Sequence, residues 1–355
     1  MLLHISVHFL FYIFLVILIV VFLLILVVLY YSFHQFRKLL DAQRWSTLIE
    51  DKVVSAVVNR DEEADKNPDF KFFSQQTSFR NLFLEKLIES EKKFSGIAQK
   101  EIIGLYEDYH LEKESFYKLD QKQPHLIVGG IQELTAMKVE KAVPKIASFL
   151  NHPSAQVYQE AQYAMVNYKG FKGLRFLDDT NHIISDWQQL RLLLSLTDIP
   201  QNTAPSIKKW LQSSNDSVSI FTLRLLRKFQ MLTYYPDVLP LMSHASEIVR
   251  IQAVQTLQSL ENSFTTTDLT EGFSAQPLSV QLEILRALLN SKDPQSAGFL
   301  KTQLLEHSAP GVGILAADCL LVLGFEKYLQ QLLVEQNTSE ELIQIIKHAL
   351  QEKIC

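Results

Sequence analysis

One apolar position recurs along the second half of the chain at steps of 30, 31, 31, 31 and 32 residues. It is occupied by Val157, Trp187, Val218, Val249, Val280 and Val312. Four residues further on stand Ala161, Arg191, Thr222, Ala253, Ile284 and Ala316, and after four more Met165, Ser195, Leu226, Leu257, Leu288 and Leu320. Leu342, Ile346 and Leu350 extend the series. Self-similarity at a fixed period indicates stacked repeats, and the four-residue steps indicate helices. The pattern predicts an all-α solenoid of seven helical pairs from about residue 139 to 355.

The first helix of each pair repeats as well. Its apolar residues are Ile146/Phe149/Leu150, Ile207/Trp210/Leu211, Val238/Leu241/Met242 and Leu329/Leu332/Leu333. The connecting turns contain residues that can cap the second helix: Asn151–Ser154, Ser213–Asp216 and Ser243–Ser246. One repeat departs from the pattern at Arg191 and Ser195. There we expect a register shifted by one, with Leu190 and Leu194 in the core.

The stretch Ser243–Leu257 carries an acidic turn followed by Val249-Arg250, then Ala253 and Leu257. It resembles the second helix of a HEAT repeat, and the earlier run from Val143-Pro144 to Ala161 is similar. Only one repeat has the Val-Arg pair, so the repeats are degenerate. The resemblance spans residues 139–355 and implies a protein-binding solenoid. The whole layout also resembles membrane-anchored HEAT-repeat proteins of Bacteroidetes-type bacteria, which implies an envelope glycosyltransferase as one possible partner.

The first 36 residues contain no Asp, Glu, Lys or Arg, and Phe9–Leu29 is apolar except for Tyr12. About 20 apolar residues suffice to cross a bilayer. A signal peptide has a basic start, a shorter apolar core and a small-residue cleavage site, none of which is seen here. The sequence predicts a single transmembrane helix at about 9–31. The basic residues Arg37, Lys38 and Arg44 predict an outer N-terminus and a cytoplasmic repeat region, with the protein in the inner (cytoplasmic) membrane.

Between the anchor and the repeats we expect three further regions. Apolar residues at three- and four-residue steps from Trp45 to Val57 predict an amphipathic juxtamembrane helix. It could pair with a copy of itself or lie on the lipid surface, but we expect it to pack on its own domain. The charged stretch 61–69 predicts a linker. Four helices follow, at Phe79–Glu89, Ile97–Tyr109, Leu111–Leu119 and His125–Ala136. The expected divisions are 1–36 (anchor), 37–69 (juxtamembrane helix and linker), 70–138 (helical region) and 139–355 (solenoid).

Residues that could carry chemistry are few. The chain has no glycine-rich phosphate loop and no cysteine pair with metal spacing. The doublet Asp178-Asp179 could supply a catalytic carboxylate, but it falls at a helix end, where a turn is a sufficient explanation. Four histidines, His152, His182, His244 and His307, fall near the turns and could form a pH-sensitive or metal-collecting ridge or, more simply, occupy exposed turns. His4 and His8 could form half of a metal site or, more simply, lie at the membrane surface on the anchor, and Cys319 is expected to be an inert core residue. We therefore expect no catalytic, cofactor or metal residues and no cofactor.

Three functions are compatible with these patterns. The leading one is a scaffold or adaptor that has no catalytic activity and binds a partner protein. The second is a HEAT-like enzyme of the nucleic-acid glycosylase or bilin lyase type. Nucleic-acid binding is disfavoured by 18 Lys/Arg against 21 Asp/Glu from residue 139 onward, although Arg224, Arg227 and Lys228 form a local basic patch. The third is a structural subunit of an inner-membrane assembly, which an anchor without glycine does not favour.

Overall fold

The computed structural model describes residues 7–59, 68–335 and 339–351 of the chain. In this part the residues at helical spacing form helices, which are joined by turns and loops. All regular elements in this part are α-, 3-10 or π-helices. The chain divides into two compact units, unit 1 (Met1–Ala164) and unit 2 (Met165–Cys355). The all-α fold class is confirmed for the described residues.

Unit 1 begins with one long helix, α1 (Val7–Val54), which ends in a π-helical turn at Ser55–Asn59. Its other helices are α2 (Pro68–Phe73), α3 (Thr77–Glu91), α4 (Ile97–Asp108), α5 (Glu112–Leu119), α6 (Pro124–Ala136), α7 (Val143–Ala147) and α8 (Ala155–Lys169), the last of which continues into unit 2. The four helices predicted between residues 79 and 136 are therefore present as α3 to α6. Of the predicted linker, residues 61–67 lie outside the described residues, and Pro68 and Asp69 begin α2.

The two ends of α1 have different surroundings. Its most apolar 18-residue window is not buried inside the protein, and the helix is long and apolar enough to cross a membrane. A signal sequence near an N-terminus would meet the same criterion. At the other end Ile49 and Val53 are buried, and Trp45 packs edge-on against Phe79 at 5.8 Å. The segment from Trp45 to Val57 thus packs on its own unit, as predicted, and it continues the apolar helix without a break.

Unit 2 is a stack of paired helices. Its second helices are α9 (Asp186–Ser195), α11 (Asp216–Lys228), α13 (Glu247–Ser259), α15 (Leu278–Ser291), α17 (Pro310–Val322) and α19 (Glu340–Leu350). The first helices are α10 (Ala204–Leu211), α12 (Tyr235–Val238), α14 (Thr265–Thr270), α16 (Ala297–Glu306) and α18 (Glu326–Leu332), and a 3-10 segment, Gly170–Asp178, precedes α9. From α11 onward each second helix contacts the next one, so their apolar faces form one continuous core.

The predicted core column is buried in α11, α13, α15 and α17, where its members are at most 2% exposed. In α9 the prediction was wrong. Trp187 is 69% exposed, and Leu190 and Leu194 are exposed too, so the expected shift to those leucines does not occur. The buried residues of α9 are instead Gln188, Gln189, Leu192 and Leu193, and the next residue after the helix, Leu196, is also buried.

Hydrogen bonds explain why amides occupy the core face of α9. The side-chain Nε2 of Gln189 donates to the carbonyl oxygen of Ile184 at 2.9 Å, and its Oε1 accepts from Arg224 at 3.0 Å. A buried amide is tolerated when its donors and acceptors are paired. These bonds place Gln189 inward, and the apolar residues on the opposite side of the helix are left exposed.

The Val-Arg pair at residues 249 and 250 has a distinct structural role. Val249 is fully buried, whereas the Arg250 guanidinium donates to the carbonyl of His244 in its own turn and to Gln276 Oε1 in the next repeat at 3.2 Å. Gln276 in turn donates to the Met242 carbonyl at 3.0 Å. This arginine therefore closes its own turn and joins it to the following repeat.

Candidate functional site

The turn histidines act as backbone acceptors. In three turns the ring Nδ1 accepts a hydrogen bond from the backbone N–H two residues further on. The pairs are His152–Ser154 (3.1 Å), His244–Ser246 (3.1 Å) and His307–Ala309 (3.0 Å). In another turn the Ser213 hydroxyl accepts from the Asn215 N–H in the same way. Turn closure explains why histidine recurs at this position, and no group of three or more metal-ligating side chains occurs in the described part of the chain.

Replacing His244 by alanine is expected to lower the free energy of unfolding by about 1 kcal/mol, because the Ser246 N–H loses its acceptor. His244→Asn should restore most of that loss, since an Asn side chain can accept from the same N–H. Urea denaturation followed by circular dichroism measures both, with the exposed His348→Ala as the control. An equal loss for alanine and asparagine would contradict a capping role.

The acidic doublet is held by structural bonds. Asp178 Oδ1 accepts from the buried Trp210 indole N–H at 2.8 Å, and Lys209 lies 3.9 Å from Asp178 and 3.8 Å from Asp179. The indole needs a partner because it is buried. These contacts give the doublet a role in packing α10 against the 3-10 segment that precedes α9.

The two cysteines and the two N-terminal histidines are the remaining residues that the sequence singles out. Cys319 is buried in α17, and burial raises the pKa of its thiol to about 12, with Asp318 acting in the same direction. Cys355 and His4 lie outside the described residues, as does the side chain of His8.

The buried Cys319 thiol is expected to resist alkylation. In a Cys355→Ser variant at pH 8, iodoacetamide should modify Cys319 at least about a hundred-fold more slowly in the folded chain than in urea, because the thiolate is the reactive form. Intact-mass measurement over time gives both rates. Similar rates in the two states would mean that α17 is not packed as described.

One face of α9 forms an exposed apolar stripe. It consists of Ile183, Trp187, Leu190 and Leu194, which are 79%, 69%, 46% and 71% exposed. Trp187, Leu190 and Leu194 follow steps of three and four residues, which place them along one side of α9, and Ile183 lies in the loop before this helix. We call them the α9 stripe. An exposed contiguous apolar patch on a soluble domain commonly marks an interaction site.

A ladder of hydrogen-bonded polar side chains joins α9 to the following second helices. Arg224 donates to Asp186 (2.7 Å) and to Gln189 of α9, and also to Gln252 of α13 (3.4 Å). Arg227 donates to the same Gln252 oxygen at 2.8 Å and to Gln255 at 2.7 Å. The last bonds join Gln255 to Glu283 (2.7 Å) and Glu283 to Arg286 (3.0 Å). The basic patch predicted at Arg224 and Arg227 therefore belongs to this ladder.

Lys228, the third residue of the predicted basic patch, has another role. Its Nζ donates to the carbonyls of Leu193 and Leu196, the latter at 2.8 Å. These are among the last carbonyls of α9, where a cation is favourable. Lys228 thus holds the C-terminal end of the helix that carries the stripe.

The charges of the ladder do not balance. It contains three guanidiniums and two carboxylates: Asp186 forms an ion pair with Arg224, and Glu283 forms one with Arg286. Within the described residues Arg227 forms no ion pair, and its two bonds go to neutral amides. Burial lowers the pKa of the Arg227 guanidinium from its ordinary value, and the nearby Arg224 acts in the same direction, while Glu283 opposes them.

No family model and no curated protein matches this chain. Among solved structures, it is similar to an engineered protein (TM-score 0.37, 15% identity, 85% of this chain and 87% of that one). It is also similar to importin beta (TM-score 0.41, 12% identity, 87% of this chain), of which it spans 49% of the length. A third is human deoxyhypusine hydroxylase (TM-score 0.29, 13% identity, 80% and 98%). With TM-scores below 0.5 these similarities do not bear on function.

Proposed function

We propose that this chain is a membrane-tethered scaffold of HEAT type that has no catalytic activity and binds a partner protein through the second helices of unit 2. The α9 stripe carries this proposal, because Trp187, Leu190 and Leu194 expose apolar surface that the described part of the chain does not cover. The stack of paired helices supports it, since such arrays offer extended binding surfaces.

Tethering is proposed from α1. The helix is apolar over more than the length of a bilayer crossing, and Arg37, Lys38 and Arg44 follow the apolar part. The excess of basic residues after the span favours a cytoplasmic location for units 1 and 2, on the inner membrane of a bacterium. Because α1 is one unbroken helix, it connects the proposed anchor directly to the core of unit 1, where Ile49 and Val53 are buried.

Affinity purification of the full chain from gently solubilised membranes, beside a version lacking residues 1–36, tests both parts of the proposal. We expect the same defined proteins with both chains, and a membrane-bound glycosyltransferase is one partner to look for. Partners that appear only with the full chain would place the interface in the bilayer. If neither chain retained a protein above the background of an unrelated single-span protein, the scaffold function would be contradicted.

A further inference from the structure

The part of α1 between the proposed membrane span and the core of unit 1 is an exposed amphipathic helix. It comprises residues 32–44, about 20 Å of helix, and we call it the stalk. Its four large apolar side chains are 50–67% exposed: Phe33, Phe36, Leu39 and Leu40. A helix that only bridges solvent is polar all round. The stalk is not, so one side of it is suited to contact with another molecule.

An apolar seam runs along one side of α1 and through the stalk. It consists of eight residues separated alternately by four and three positions: Leu15, Ile19, Phe22, Leu26, Leu29, Phe33, Phe36 and Leu40. This spacing, sustained over several heptads, is that of the contact line in paired helices. Within the span the neighbouring residues are apolar too, so the seam is distinct only in the stalk. The charged residues of the stalk all lie off the seam: Arg37, Lys38, Asp41 and Arg44.

Unit 1 covers the opposite side of α1. Trp45 and Ile49, which pack in the core of unit 1, follow Phe36 and Leu40 by nine residues each. Nine residues are about two and a half helical turns, so the members of each pair point in opposite directions. Unit 1 therefore leaves the seam uncovered within the described part of the chain.

The surface that matches this seam is the seam itself. In a pair of identical helices, the spacing of the surface is also the spacing of its occupant. Two copies anchored in one membrane have the same orientation, and in a parallel pair each seam residue faces its own equivalent. Across the seam Arg37 would face Ser32 of the other copy and Arg44 would face Leu39, so that no like charges meet.

Resting on the proposed membrane tether, we propose that two copies of this chain form a parallel pair through the seam of α1. Phe33, Phe36 and Leu40 contact their equivalents beyond the span, and Gln43 at the next position lets the two side-chain amides bond to each other. Thr47 and Glu50 follow at the later positions, so the contact ends where unit 1 begins. The pair holds two repeat arrays side by side, which gives a scaffold two linked sites for its partners.

Two other ways of covering the stalk fit less well. The bilayer surface cannot do so, because α1 has no break between Val7 and Val54, and a helix that crosses the membrane cannot also lie on it. Close packing of spans through small residues is not available either, since α1 contains no glycine. A seam of Phe and Leu suits the wider, left-handed packing of a heptad pair.

Disulfide cross-linking in native membranes locates the contact. Leu40→Cys, Gln43→Cys and Lys38→Cys are each made in a Cys355→Ser chain, in which the remaining Cys319 is buried. We expect covalent dimers to form at least about ten-fold faster for the first two variants, because a disulfide needs Cα atoms within about 7 Å. Lys38, two helical turns before Trp45, lies on the side away from the seam and is the matched control.

A charge placed on the seam tests whether it drives the pairing. Leu40→Glu puts two like charges opposite each other and should weaken dimerisation about ten-fold or more. Energy transfer between fluorescently tagged full chains in vesicles, at increasing lipid dilution, measures the loss. Lys38→Glu adds the same acid on the opposite side and should dimerise as the parent does, and circular dichroism confirms that both variants are folded.

Four outcomes would overturn the pairing. They are a chain that stays monomeric in vesicles, equal cross-linking of the Lys38 and Gln43 variants, undiminished dimerisation of Leu40→Glu, and cross-links to an unrelated protein in place of a second copy. Retention in carbonate-washed membranes is measured on the same samples. A monomeric chain that stays in washed membranes would leave the tether and the scaffold function standing, whereas loss from them would overturn the tether and the pairing together.

Discussion

Trp210→Ala is expected to lower the free energy of unfolding by about 3–5 kcal/mol. Trp210 is 1% exposed in α10, its ring lies 5.3 Å from that of Phe171, and its indole N–H donates to Asp178. Removing the side chain leaves a cavity and takes away the hydrogen-bond partner of a half-buried carboxylate. Trp210→Phe keeps most of the packed volume and should cost clearly less.

The matched control is the same substitution at the exposed tryptophan. Trp187→Ala should change the free energy of unfolding by no more than about 0.5 kcal/mol, because surface positions contribute little. Urea denaturation of the full chain in detergent micelles, followed by circular dichroism, compares the two. Similar losses at both positions would contradict the register of α9 described above.

Gly173→Ala is the second substitution for which we expect a large effect, with a loss of about 3 kcal/mol. A Cβ atom at Gly173 would lie 2.2 Å from the carbonyl oxygen of Met165 and 2.7 Å from the Cα of Val166. Both are backbone atoms at the end of α8, so no side-chain rotation relieves the clash. The 3-10 segment would have to move away from the helix that it packs against.

Gly298→Ala provides the contrast within the same unit. Nothing lies within 4 Å of a Cβ at Gly298, near the start of α16, so alanine there should raise the free energy of unfolding by at most about 1 kcal/mol. Thermal unfolding of the two variants shows whether the change in stability has opposite signs, a loss for Gly173→Ala and a gain for Gly298→Ala. A tolerated alanine at Gly173 would show that the segment is not in contact with α8.

The helices of unit 2 from α11 to α17 could be predicted because the apolar residues that recur at the repeat period are the residues buried in the core. Each of the second helices α11, α13, α15 and α17 has a fully buried valine at the equivalent position: Val218, Val249, Val280 and Val312. Stacked repeats place equivalent residues in equivalent surroundings, so one pattern informs several helices. The end of α1 was predictable for a similar reason, since its apolar residues follow a helical period.

The α9 repeat could not be predicted because its pattern of apolar residues is misleading. Hydrophobic spacing assigns Trp187, Leu190 and Leu194 to the core, whereas Gln188 and Gln189 are buried. Amides enter the core only when hydrogen-bond partners from elsewhere in the chain are in place. Those partners, such as Arg224, are distant in the sequence and become known only from the folded structure.

The candidate site could not be predicted from the sequence, for two physical reasons. The exposure of the α9 stripe depends on the register just described, and the two amide acceptors of Arg227 are known only from the way in which α11 and α13 pack. A cluster of Arg224, Arg227 and Lys228 on one helix resembles a simple basic face, yet each side chain has a different set of acceptors. For the turn histidines the sequence shows the regular spacing, but only the structure shows that Nδ1 accepts a backbone hydrogen bond.

The central claim, that the α9 stripe is where this chain binds a partner, is tested most directly by quantitative co-purification from membranes. Full-length parent chain would be compared with Trp187→Ser/Leu194→Ser and with Phe264→Ser, which removes a side chain that is 69% exposed elsewhere in unit 2. We predict that the parent and the Phe264 variant retain the same proteins and that the double variant loses them while staying folded. Retention by the double variant at the level of the parent would contradict the claim.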